Sequence, residues 1–327
     1  MTNIKVAIIH GIGVNKPGYS KDLCEGVIKE FNATLRKILN TAYDYTRNID
    51  FQEIVWDDIL GENQKQLKGL LQRALQQKKQ KTFLAFWAGS GLIPIIIAGF
   101  LSMTVFKHPL IFIIAFLIAG YLFYHFGTKL YYQLRTGFAS EFVLDIVGYL
   151  NEEVKERIQQ RIKDDLLKIR ADKEPVTFVA HSLGTVIASD FIWDRQKLHD
   201  FGNFKLNNFF TMGSPLALFA LRYGAQLFNK PIHIDLTFGR WINIMDKDDP
   251  IAYPLKELNK EYNEVVLKDI QVNVGPLGIA HVKYWPDSNI HKIIAKKLAI
   301  DWLKLNEELD SGRIERLYAE YENLVIR

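Results

Sequence analysis

The stretch Val176-Thr177-Phe178-Val179-Ala180-His181-Ser182-Leu183-Gly184 does most to limit how this chain can fold. An apolar run of this length, bounded by a sharp change in pattern, reads as a strand buried on both faces, and such strands belong to parallel sheets covered by helices on each side. From Leu183 the spacing turns helical, with only a serine-centred turn between strand and helix. The pattern recurs along the chain. Strand candidates lie at 4–9, 51–56, 176–180, 206–212, 240–245 and 262–267, and helical spacing covers 20–39, 62–77, 141–169, 183–195, 290–305 and 314–325. This alternation predicts an α/β fold with a mostly parallel sheet and helices on both faces, whose ligands bind beyond the carboxyl ends of the strands.

At 327 residues the chain is long enough for one large α/β domain. Its formal charge of +4 is mild, and no basic run interleaves with aromatics, so no nucleic-acid groove is expected. The single cysteine, Cys24, excludes an internal disulfide and a multi-cysteine zinc site, and its helical setting suits a packed thiol. The short apolar run at 4–9 is followed by no cleavage-site pattern and reads as a strand rather than a secretory signal.

One segment departs from this pattern. Residues 83–126 are apolar apart from a short interruption at Lys107 and His108, with Pro109 after it. A membrane span needs about 20 apolar residues, so 83–106 suffices for one helix, kinked at Pro94, and 110–126 for a shorter second. Lys78, Lys79 and Lys81 precede the block and Lys129 and Arg135 follow it, which places both flanks on the cytoplasmic side. The expected organisation is an α/β domain in two parts, 1–78 and 136–327, with a transmembrane or membrane-embedded helical hairpin inserted at 79–135. The expected location is the inner (cytoplasmic) membrane, with the rest of the chain in the cytoplasm.

Four features stand in the chain order expected of an α/β-hydrolase. His10-Gly11-Ile12-Gly13 follows the first strand, where a glycine turn lets backbone N–H groups approach a developing oxyanion; the N–H of Ile12 is the candidate donor, and His10 reads as structural. Ser182 sits at a strand-to-helix turn that would lift its hydroxyl above the sheet and aim the N–H of Leu183 at the same oxyanion site. Ala180 stands where such turns usually carry glycine. The alternative reading of Ser182 is a helix N-cap. Asp246, Asp248 and Asp249 follow a strand and offer the acid; Asp249, before Pro250 and an apolar pair, leads, with Asp248 next. His281 comes late enough to be the base, with His291 and His233 behind it. His181 lies on the strand side of the turn and should point away from the serine.

Taken together, "AHSLGTVIASD", "MGSPLALFALR", "NIMDKDDPIAY", "AHVKYW" and the earlier "LDIVGYL" resemble the DDHD-domain, phosphatidic-acid-preferring phospholipase A1 family of intracellular lipid hydrolases, and more loosely the triacylglycerol lipases. The likeness is concentrated between residues 141 and 287. It implies Ser182 as nucleophile, Asp249 as acid and His281 as base. The chain is short for that family, and no arginine follows Ala252-Tyr253.

The expectation is a membrane-anchored serine hydrolase of lipid esters, working through an acyl-enzyme without metal or organic cofactor, with a lipid or acyl ester as partner. A thioesterase or small-ester hydrolase with the same triad is the first alternative. A membrane scaffold with a vestigial site is the second.

Overall fold

The computed structural model describes residues 2–12, 16–60, 148–169, 174–198, 205–223, 239–277 and 279–326. The chain divides into two compact units. One combines Met1–Ile59 with Glu152–Arg327; the other is Leu60–Asn151, of which only Leu60 and 148–151 are described.

The first unit is built on a sheet of β1 (Ile4–Ile9), β2 (Ile49–Ile54), β3 (Val176–His181), β4 (Leu206–Met212), β5 (Arg240–Asp246) and β6 (Val266–Val272). The strand order is β2-β1-β3-β4-β5-β6 and every neighbouring pair is parallel. All six residues of β3 and all seven of β4 are buried, as central strands covered on both faces require. The edge strands differ: β2 buries only Ile49 and Ile54, and β6 only Val266.

Among the described residues the α-helices are α1 (Lys21–Leu39), α2 (Glu152–Lys168), α3 (Leu183–Leu198), α4 (Leu216–Tyr223), α5 (Lys260–Val265), α6 (Ser288–Leu305) and α7 (Ser311–Ile326). Alternate strand residues sort the two faces. Val6, Ile8, Val179, Phe210, Ile242 and Ile244 share a core with the buried stripe Leu23, Val27, Phe31 and Leu35 of α1 and with the apolar side of α6. On the other face Phe178 meets Phe191 of α3 and Phe209 of β4, and Phe209 meets Trp241 of β5. The chain leaves β1 toward β2 on one side and proceeds from β3 to β4 on the other. The crevice between the carboxyl ends of β1 and β3 is therefore the switch point where such sheets bind ligands.

Several elements differ from the sequence reading. The second strand is Ile49–Ile54 rather than 51–56, because its parallel register with β1 runs from Ile4↔Ile49 to Ile9↔Ile54; Trp56 lies beyond it, fully buried. The segment at 262–267 is not a strand from its start. Asn259 accepts the N–H of Tyr262 at 2.9 Å and starts α5, and extended structure begins only at Val266. Helix α4 was not anticipated. The helix candidate at 62–77, and the part of 141–169 before residue 148, lie outside the described residues.

The expected membrane localisation is corrected. Among the described residues no helix is long and apolar enough to cross a membrane. Helix α1 carries Lys21, Glu25, Lys29, Arg36 and Lys37 among its 19 residues, and α6 carries Lys292, Lys296, Lys297, Asp301 and Lys304 among its 18. A span of about 20 residues does not accommodate charge at that density. The hairpin expected at 79–135 lies outside the described residues.

Candidate active site

Ser182 is the turn between β3 and α3, and its φ is +54°. A side chain is rarely tolerated in that region, at a cost of order 1–3 kcal/mol, and persists only where the surroundings fix it. Here they do. The Ser182 N–H donates to the Met212 carbonyl at 3.0 Å, and its carbonyl accepts both the N–H of Thr185 at 2.9 Å and the Thr185 hydroxyl at 2.7 Å. Because that hydroxyl proton is committed, the Ser214 Oγ, 2.8 Å away, donates to the Thr185 oxygen. Gly184 brings the start of α3 hard against the end of β1: a Cβ there would stand 2.3 Å from the His10 carbonyl oxygen. Gly11 makes the matching approach from β1, where a Cβ would stand 2.5 Å from that of Ser182. Ala180, in place of the usual glycine, is buried in regular strand pairing with Ile9 and Thr211.

His281 sits on a short 3-10 turn, Ala280–Val282. Its Nε2 lies 2.7 Å from Ser182 Oγ and its Nδ1 lies 2.9 Å from Asp249 Oδ2. The partners set the tautomer: a carboxylate can only accept, so Nδ1 carries the proton and Nε2 receives the serine O–H. All three side chains are buried, Ser182 at 2%, Asp249 at 3% and His281 at 5% exposure. Asp249 also accepts the Tyr284 O–H at 2.9 Å on Oδ2 and the Ile251 N–H at 3.1 Å on Oδ1. Burial alone would raise its pKa. The hydrogen bond from His281 and that residue's charge, aided by Ile251 and Tyr284, outweigh burial and hold the carboxyl below its ordinary 3.8.

Of the acid cluster, Asp249 is the member brought to His281. Asp246 ends β5 and ties down neighbouring backbone, accepting the N–H of Asp248 at 2.8 Å and of Val274 at 2.6 Å. Asp248 is partly exposed on the turn between them. His291 faces away on α6, with Nε2 2.7 Å from the Trp285 carbonyl and its ring against Gly26 of α1. His233 lies outside the described residues. His10 donates from Nδ1 to the Gly11 carbonyl at 2.5 Å and accepts the Trp56 N–H at 3.3 Å, its ring stacked on Trp56. Burial lowers its pKa to about 4, so it is a neutral structural residue.

His181 does not reach toward the serine, but it is not idle. Its Nε2 donates to the His281 carbonyl at 2.7 Å, and the two rings lie 4.9 Å apart. Burial and the neighbouring His281 push its pKa to about 3. This brace and the Tyr284 hydrogen bond were missed in the sequence. The Tyr-Trp pair three residues past His281 was visible there, but nothing in the spacing says which way a phenol points.

Leu183 is the first residue of α3, where helical N–H groups have no intrahelical acceptor. Ile12 follows the glycine that packs on Ser182, on the same edge. Both oxyanion candidates thus sit in segments that border the serine. Comparison of the chain with known protein families, with curated proteins and with solved structures finds no match in any of the three.

Proposed function

We propose that this chain is a serine hydrolase of carboxylic esters built on an α/β-hydrolase fold. The observation that carries the reading is a buried, continuous relay: Asp249 to His281 at 2.9 Å and His281 to Ser182 at 2.7 Å, with Ser182 at a φ of +54° on the switch-point edge of a parallel sheet. His281 takes the hydroxyl proton as Ser182 Oγ attacks the ester carbonyl. The N–H groups of Ile12 and Leu183 receive the oxyanion. Asp249 keeps the imidazole in the required tautomer and stabilises its protonated form. The protonated His281 then gives its proton to the leaving alkoxide, and water, activated by the same base, hydrolyses the acyl-enzyme.

Lipid esters are the proposed substrate class. The resemblance of the serine, acid and histidine segments to phospholipase A1 sequences supports it. So do the exposed apolar side chains of Leu277, Ile279 and Val282 in the segment that carries the base, which suit an acyl chain better than a polar substrate. The test is labelling with a fluorophosphonate probe, followed by profiling of the products from long-chain lipid esters and short soluble esters. Wild type is expected to label and Ser182→Ala to remain unlabelled. An unlabelled wild type would sink the hydrolase reading, and turnover of short esters or thioesters alone would sink the lipid one.

A further inference from the structure

The acid of this relay shares its key oxygen. Asp249 Oδ2 receives two donors, His281 Nδ1 and the Tyr284 hydroxyl, each at 2.9 Å. Tyr284 is fully buried and lies on the same segment as His281, three residues on. Its oxygen also accepts the backbone N–H of Asp246 at 2.9 Å, which leaves the phenol proton directed at Asp249. Its ring edge rests on the turn after β4, where a Cβ on Gly213 would stand 2.9 Å from Tyr284 Cε2. One phenol therefore fastens together the loop after β4, the end of β5 and the segment bearing the base.

Resting on the hydrolase reading above, we propose that Tyr284 is a positioning residue that holds Asp249 Oδ2 in line with His281 Nδ1 and moderates how strongly the acid charges the base. A carboxylate oxygen that accepts a second hydrogen bond has less electron density for the first. Removing the phenol proton leaves Asp249 Oδ2 a stronger acceptor for the imidazolium, so the acid limb of the rate profile should move to higher pH. Among the described residues, the titratable groups around the pair include Tyr284, whose hydroxyl binds Asp249, Asp246 at the end of β5, and His181 at the end of β3, which His10 beyond β1 influences in turn. Burial and the nearby Asp249 charge keep Tyr284 protonated, and His181 is held neutral. The phenol thus acts as a fixed hydrogen-bond donor.

The experiment compares pH profiles of kcat/KM for a chromogenic ester in wild type, Tyr284→Phe and a protein carrying 3-fluorotyrosine at position 284, with fluorophosphonate titration counting competent sites in each. Tyr284→Phe is expected to lower kcat by about tenfold with KM nearly unchanged. It should also move the acid-limb midpoint upward by about half a pH unit. The fluorinated phenol, a stronger donor, should move that midpoint downward while keeping the Asp246 contact. If Tyr284→Phe folds poorly, the fluorinated protein still decides the matter. Opposite shifts per titrated site support the positioning role. A labelled wild type whose midpoint is the same in all three proteins overturns it, and a wild type that does not label overturns the hydrolase reading instead.

Discussion

Ser182 keeps its strained backbone because two glycines let neighbouring strands and helices close on it. A Cβ at Gly184 would meet the His10 carbonyl, which is backbone and has little room to yield. Gly184→Ala is therefore expected to lower stability by about 3 kcal/mol and to abolish probe labelling of Ser182, measured by urea unfolding and by gel fluorescence. The buried histidines give the site an acid-sensitive frame. His10 and His181 have an ordinary pKa of 6.5 when unfolded and are held to about 4 and about 3 when native, chiefly by burial. As pH falls below 6.5 the unfolded chain takes up protons that the native state refuses, so stability falls with pH, by on the order of 3 kcal/mol per histidine by pH 4. Asp249 adds to this only below its ordinary 3.8, since its native pKa is depressed. Unfolding midpoints followed from pH 7 to 4.5 should decline, and His181→Asn should flatten the decline. An unchanged slope in that variant would contradict the assignment.

Helix α6 is fixed to the sheet by polar chemistry at the opposite end from the serine. Asp301, 2% exposed, accepts from Lys297 Nζ at 2.5 Å, from Asn208 at 2.7 Å and from the Tyr318 hydroxyl of α7 at 2.7 Å. Burial depresses the Lys297 pKa and the Asp301 charge restores part of it. Removing the carboxylate takes the opposite charge from the buried Lys297 ammonium and the shared acceptor from Asn208 and Tyr318. Asp301→Ala is thus expected to cost about 3–5 kcal/mol. The first turn of the same helix provides a control: Asp287 caps the N–H groups of Asn289 and Ile290, and Asp287→Ala should cost only about 1 kcal/mol. A loss in Asp301→Ala no larger than the roughly 1 kcal/mol of a missing cap would show that the network is dispensable.

The sheet joins distant parts of the chain, with Lys5 in β1 beside Val176 in β3, so its central strands cannot form from local sequence alone. The two N-terminal strands and the four later ones should unfold as one unit. Native-state hydrogen exchange should find the slowest amides in β1, β3 and β4 together, released only by global unfolding, with faster exchange in α5 and the edge strand β6. Earlier release of β1 would mean that the N-terminal part is a separate cooperative unit.

The sequence by itself determined the α/β class, the strands at 4–9 and 206–212 to the residue, and the identity of Ser182, Asp249 and His281 as candidates. Those features rest on local pattern: unbroken apolar runs, glycine at tight turns and chain order. It left the acid open among three aspartates, because a turn of four residues can present any of them. Only the tertiary structure decided that Asp249 faces the imidazole while Asp246 is spent on backbone N–H groups. The same holds for the phenol of Tyr284 and the His181 brace. Both depend on which segments meet across the carboxyl edge of the sheet, and hydrogen bonds between residues 35 to 100 positions apart leave no periodic trace in the chain.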